Sequence, residues 1–251
     1  HHALAKAALE AGKHVVLEKP LTATVREAQE LINLAEKKNL VLMVDHTFLY
    51  TGAVRKIKEL VDSGEIGEIL YYDSVRVNLG LFQSDVNVVW DLGPHDLSIM
   101  DYILGREAQW VQATGVAHLK NNLENVAYLT LSFSDTLIGH FHLNWLSPVK
   151  LRMTLIGGDM KMIVYNDIEP NEKIKVYDKG LQEIGDPEQR RQKLIEYRIG
   201  DMWCPNIDQS EALERMCTEF ADSIAQRRKP LTDGAAGLRV VKILEAAQAS
   251  I

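Results

Sequence analysis

Cysteine is scarce in this 251-residue sequence: Cys204 and Cys217 are the only two, and they form no CxxC pair. A disulfide framework is therefore not expected, and a reducing cytoplasm is the simplest compartment. Long apolar runs are missing as well. No stretch approaches the roughly 18–20 residues of a membrane span, and the start His1-His2-Ala3-Leu4 lacks the basic end and apolar centre of a signal peptide. Runs of Lys and Arg are also absent. With 28 basic and 35 acidic residues the net charge is −7, so neither nucleic acid nor an anionic membrane is expected as main partner. What is present is ordinary globular chemistry, 46% hydrophobic and 25% charged, in a chain long enough for one large or two modest domains. There is no initiator Met and the first residues read as helix, so we expect the natural amino terminus to lie upstream.

Local patterns divide the chain near residue 45. Ala3 to Ala11 is Ala- and Leu-rich, with Gly12 as a stop. Val15-Val16-Leu17, bounded by Gly12 and Pro20, suits a buried parallel strand. Thr24 and Glu27 form a capping box for a second helix, and Leu40 to Val44 is the next strand. This helix–strand alternation is half of a doubly wound α/β sheet. Beyond it, Val54, Ile57, Leu60 and Val61 line a helix, and residues 67 to 78 alternate as an antiparallel strand with one wet face. A helix is expected over 91–104. A strand series then runs Trp110–His118, Val126–Phe133, Leu137–Trp145, Leu151–Ile156, Lys161–Tyr165 and Ile174–Tyr177, with a hairpin turn at Ser134-Asp135. Residues 180–193, charged and breaker-rich, read as a surface loop or a ragged edge. Two closing helices carry Leu213, Met216, Cys217 and Phe220, then Leu238, Val241, Ile243 and Leu244.

Three residues stand out chemically. Asp91 and His95, at i and i+4, share a helix face. With the helix starting near Trp90 or Asp91, Pro94 falls where amides lack intrahelical partners. Asp91 in that first turn is expected to orient His95 and stabilise its charged state, readying it to accept a hydroxyl proton. Lys19 follows a buried strand at the end where α/β sheets place ligands, and can donate to a developing alkoxide. Its ordinary reading is a solvated loop lysine paired with Glu18. His46, Thr47 and Tyr50 follow the second strand at the same sheet end. Arg76, Asn78 and Asn87 precede the Asp/His helix and could meet a polyhydroxy or phosphorylated ligand. His140 and His142 alternate on one strand, but no third residue makes a metal set by spacing.

Ala8-Leu9-Glu10-Ala11-Gly12-Lys13-His14-Val15 with Glu18-Lys19-Pro20, and Trp90-Asp91-Leu92-Gly93-Pro94-His95-Asp96, together resemble the signatures of the glucose–fructose oxidoreductase / inositol dehydrogenase / MocA family. The ending Leu238 to Ala247 is similar too. The resemblance implies a remnant of an NAD- or NADP-binding Rossmann domain over residues 1–45. It implies an α/β plus α+β architecture overall, with residues 46–251 forming a substrate-binding domain on a large, open, mainly antiparallel sheet with flanking helices. It further implies that Lys19 contacts substrate oxygen and nicotinamide ribose, that Asp91 supports it, and that His95 is the acid/base. Glu18, Pro20 and His46 would sit by the cofactor, and Tyr50, Arg76, Asn78 and Asn87 by a sugar, cyclitol or nucleotide-sugar substrate. Assembly into a homodimer or homotetramer through the open sheet is also implied.

One departure is large. The sequence contains no Gly-rich phosphate loop, the element that would hold pyrophosphate at a helix N-terminus. The favoured expectation is an alcohol–ketone oxidoreductase. Its rival is an inactive relative serving as a binding or self-association module. Glycoside cleavage and biliverdin-type reduction on the same scaffold are further alternatives.

Overall fold

Two short apolar runs flanked by glycine and proline do pair in parallel: β1 (Val15–Glu18) and β2 (Leu42–Asp45), with Val15 opposite Leu42 and Glu18 opposite Asp45. The computed structural model describes residues 1–80, 82–120, 122–133, 136–183 and 195–251. Helix α1 (His2–Glu10) leads into β1, and α2 (Val25–Lys38) joins β1 to β2. Thr24 caps α2, its hydroxyl accepting from Glu27 N at 3.2 Å. At the other end Asn39 is left-handed (φ 53°), with Leu40 N bonded to Ala35 O and Asn39 N to Glu36 O. This Schellman closure uses the Leu40 amide, so β2 begins at Leu42 rather than at Leu40.

A 3-10 turn (Thr47–Tyr50) and α3 (Gly52–Asp62) lead to β3 (Ile69–Val77) and α4 (Val88–Leu104). The chain then forms β4 (Trp110–Val116), β5 (Val126–Ser132), β6 (Ile138–Asn144), β7 (Leu151–Gly158), β8 (Met162–Asn166) and β9 (Ile174–Tyr177). A separate pair, β10 (Gly180–Glu183) and β11 (Ile195–Arg198), is followed by β12 (Met202–Trp203), α5 (Ala212–Gln226) and α6 (Gly234–Ser250). The large sheet has eight strands in the order β12-β9-β8-β7-β3-β6-β5-β4. It is antiparallel except where β3 runs parallel to β6. One face is covered by α4 and α6 and buries Leu129, Leu131, Phe141, Leu143, Ile156 and Ile163, each such side chain contributing about 1.5–3 kcal/mol. The opposite face stays open and carries exposed Trp110, Tyr128 and Ile138, with Tyr128 stacked 4.4 Å from the His142 ring.

The small parallel unit is closed by the chain's far end. Val44 N donates to Thr232 O, Met43 bridges to Asp233, and Val241 of α6 joins the core made by Leu9, Leu31 and Val44. Gly237 permits this approach, because a Cβ there would lie 2.7 Å from Val44 Cγ2.

Several expectations need correction. Helix α4 starts at Val88, capped by Asn87, so Pro94 lies inside it rather than in its first turn. Of residues 180–193, Gly180–Glu183 form a strand rather than a loop, and 184–193 lie outside the described residues. On α5, Leu213 and Cys217 are exposed while Met216 is buried, so the apolar stripe there is narrower than the pattern suggested. The turn expected at Ser134-Asp135 lies outside the described residues.

Candidate active site

The end of β1 delivers Lys19 to α4. Pro20 follows it, and the Lys19–Pro20 peptide is cis. Lys19 Nζ donates to the Asp91 backbone oxygen at 2.8 Å and stands 3.5 Å from Asp91 Oδ1, with both side chains about four-fifths buried. Pro94 removes the amide that would have bonded to the Trp90 carbonyl, one residue before the carbonyl that Lys19 reaches. The other Asp91 oxygen, Oδ2, accepts from Trp145 Nε1 at 3.1 Å. The bland expectation of a Lys19–Glu18 surface pair is thus not what forms. Glu18 instead lies opposite Asp45 in the β1–β2 register. Partial desolvation, and then its interaction with the Asp45 carboxylate, raise its pKa above the ordinary glutamate value.

Asp91 therefore does not serve His95. Its carboxylate is committed to Lys19 and Trp145, and His95 is held neutral rather than charged. Burial, and then the positive charges of Arg76 and Lys19, push the His95 pKa well below 6.5, with His46 and Arg152 adding to the effect. The ring is positioned by packing, with Phe48 edge-on at 5.2 Å between centroids. Arg76 lies over the Phe48 ring, its guanidinium carbon 4.9 Å from the ring centre. Arg76 in turn is fixed by Asp96, the residue after His95, through Nε–Oδ2 at 2.6 Å and Nη2–Oδ1 at 2.9 Å in a buried pair. Near Lys19, His46 is 2% exposed and both ring nitrogens lack partners. Burial, and secondly the Lys19 charge, lower its pKa to about 4.

The structure thus gathers Lys19, His46, Asp91 and His95, with Arg76 beside them as a support. Arg76 is anchored by Asp96 through two of its N–H donors, Nε and Nη2. Asn78 follows β3 directly, its amide donating to the Asn144 carbonyl at 3.0 Å. A Cβ on Gly80 would lie 2.6 Å from Asn78 Nδ2 and 3.8 Å from Trp145 Cδ1. Two expected substrate residues are engaged elsewhere. Tyr50 is fully buried, its hydroxyl 3.0 Å from Thr232 Oγ1. Asn87 accepts from the Val89 and Trp90 amides as the α4 cap and donates to Glu124 and Gln248. Sequence reasoning missed Asp96, Phe48 and Trp145. Asp96 stands inside the recognised motif, whereas Trp145 comes from a strand 54 residues away from its partner.

Both halves of this geometry have known counterparts. The GFO/IDH/MocA C-terminal domain pattern matches residues 54–163, and that of the oxidoreductase family's NAD-binding Rossmann fold matches residues 1–46. The chain belongs to the GFO/IDH/MocA oxidoreductase family. Among its relatives, the UDP-N-acetylglucosamine 3-dehydrogenase of Acidithiobacillus ferrooxidans is 26% identical over 245 residues, covering 96% of this chain and 72% of that protein. An uncharacterized oxidoreductase of Schizosaccharomyces pombe is 38% identical over 104 residues, which is 38% of this chain and 28% of the relative. A putative oxidoreductase from Magnetospirillum magnetotacticum superposes with a TM-score of 0.81 at 28% identity, over 98% of this chain and 76% of that one. An inositol dehydrogenase homolog from Azotobacter vinelandii, solved with NADH and myo-inositol, has the same fold: TM-score 0.79, 22% identity, covering 100% and 72%.

The residues present fit the nicotinamide end of a dinucleotide. Two adjacent parallel strands end together at Glu18 and Asp45, and the unpartnered His46 nitrogens beside them are polar atoms in want of a ligand.

Proposed function

We propose that this protein is an NAD- or NADP-dependent oxidoreductase that interconverts a secondary alcohol and a ketone on a sugar, cyclitol or nucleotide sugar. The observation that carries the reading is the Lys19 ammonium fixed by Asp91 beside a neutral His95. Glu18, Lys19, Pro20 and His46 would flank the nicotinamide, and Asn78 and His95 the substrate. In the oxidation direction the neutral His95 takes the hydroxyl proton. Lys19, with a proton to spare after its bond to Asp91, stabilises the developing alkoxide. A bound nicotinamide supplies the two-electron acceptor for the carbinol hydride. Asp91 and Trp145 restrict where the ammonium can point, which is how positioning lowers a barrier.

A second copy is proposed to cover the open sheet face, giving a homodimer or homotetramer, because Trp110, Tyr128 and Ile138 are about half exposed there. Among the described residues no helix is long and apolar enough to cross a membrane. A cytoplasmic location is proposed from the two free cysteines. The relatives named for UDP-N-acetylglucosamine and scyllo-inositol guide the assay. The protein is incubated with each substrate and NAD or NADP while reduced-nicotinamide absorbance is followed. Turnover that falls at least a hundredfold in Lys19→Met supports the reading, and turnover that survives that change refutes the role of Lys19.

A further inference from the structure

A cation with spare hydrogen-bonding capacity lies beside the proposed acid–base site. Antiparallel pairing of β3 and β7 sets Arg76 directly opposite Arg152, so both side chains leave the same sheet face roughly 5 Å apart. Arg76 grips Asp96 through two nitrogens, Nε and Nη2. Arg152 has no such two-pronged partner. Its Nη1 donates to Asp167 Oδ2 at 3.1 Å, while its Nε is buried with no hydrogen-bond partner. Asp167 is itself shared, since Oδ1 accepts from the Tyr165 hydroxyl at 3.0 Å and lies 4.0 Å from Lys173 Nζ. Three cations, Arg76, Arg152 and Lys173, therefore divide two carboxylates, Asp96 and Asp167. A purely structural strap between β7 and β8 would need neither the surplus charge nor a buried N–H left open at about 1–3 kcal/mol.

We propose that Arg152 is a substrate-binding residue that selects an anionic substrate, offering its Nε edge to a carboxylate or phosphate oxygen held next to His95. Guanidinium forks suit both anions, because two parallel N–H groups match two oxygens. The positive charge of Arg152 already reaches His95, where it helps disfavour protonation. A bound anion would neutralise that charge and so make His95 a stronger base with substrate in place than without it. The inference rests on the oxidoreductase reading for where the substrate lies, but anion binding itself needs no turnover.

The test is calorimetric titration of the protein with glucuronate, uridine diphosphate and glucose, in wild type, Arg152→Gln and Arg152→Lys. We expect one anion to bind at least tenfold more tightly than glucose, with glucuronate marking a sugar acid and uridine diphosphate a phosphate-bearing substrate. Arg152→Gln should erase that advantage and Arg152→Lys keep part of it. Asp167→Asn, which removes the competing carboxylate, should strengthen anion binding and guards against a misfolded Gln variant. The proposal is overturned by equal binding of all three probes, or by anion binding that Arg152→Gln leaves unchanged. Arg152-dependent anion binding without any nicotinamide turnover would keep the proposal and remove the oxidoreductase reading.

Discussion

His46 should make this protein acid-labile by a calculable amount. Its imidazole is buried, both nitrogens lack partners, and its pKa is lowered from 6.5 to about 4. In the unfolded chain it returns to the ordinary value. Between those two pH values the unfolded state binds the extra proton, so stability rises with pH there. The contribution is fully present above 6.5 and is lost as pH falls towards 4. A gap of about 2.5 units at 1.36 kcal/mol each is worth about 3 kcal/mol. With a urea slope of roughly 3 kcal/mol per molar, that corresponds to about 1 M in the unfolding midpoint. The assay is urea unfolding of wild type and His46→Leu, each at neutral pH and near pH 4. Carboxylates titrate equally in both proteins, and any packing cost of the Leu cancels in the pH difference. The variant should therefore lose about 3 kcal/mol less than wild type on acidification. Equal losses would refute the argument that His46 is buried neutral without a partner.

Arg76→Met should lower stability by about 3–5 kcal/mol, because it leaves Asp96 charged and unpaired in the interior; a Tm unchanged within error would contradict the buried pair. Asn87→Ala should cost about 1–2 kcal/mol through loss of the α4 cap while leaving KM for the sugar unchanged, and a raised KM would restore Asn87 to the substrate site. The depressed His95 pKa predicts that kcat/KM for alcohol oxidation holds below pH 6.5 and fails only when the ring at last protonates. An acid limb at or above 6.5 in the pH–rate profile would show that His95 is not held neutral.

What the sequence revealed depended on how far apart the partners lie along it. The Thr24 cap with Glu27 and the Gly12 stop are local, so spacing alone located them. Lys19 and Asp91 were both visible as members of short motifs, but their union spans 72 residues, and only the fold could show that Asp91 serves Lys19 rather than His95. Helical spacing favoured the i, i+4 pair, and tertiary contact overrode it. Arg76 was visible as a candidate ligand contact, but its anchoring partner was not. Its partner Asp96 lies beyond a turn of chain that composition cannot fold. Asn39 as a left-handed closure of α2 is recognisable in hindsight, since asparagine tolerates that conformation.

The most direct test of the central claim follows one hydrogen atom. A sugar or cyclitol carrying deuterium on the carbinol carbon is turned over with NAD or NADP, and the reduced nicotinamide is examined by mass spectrometry. The account predicts deuterium on the nicotinamide ring in wild type and its near-complete loss in Lys19→Met. Deuterium appearing in solvent water, with none on the ring, would contradict it.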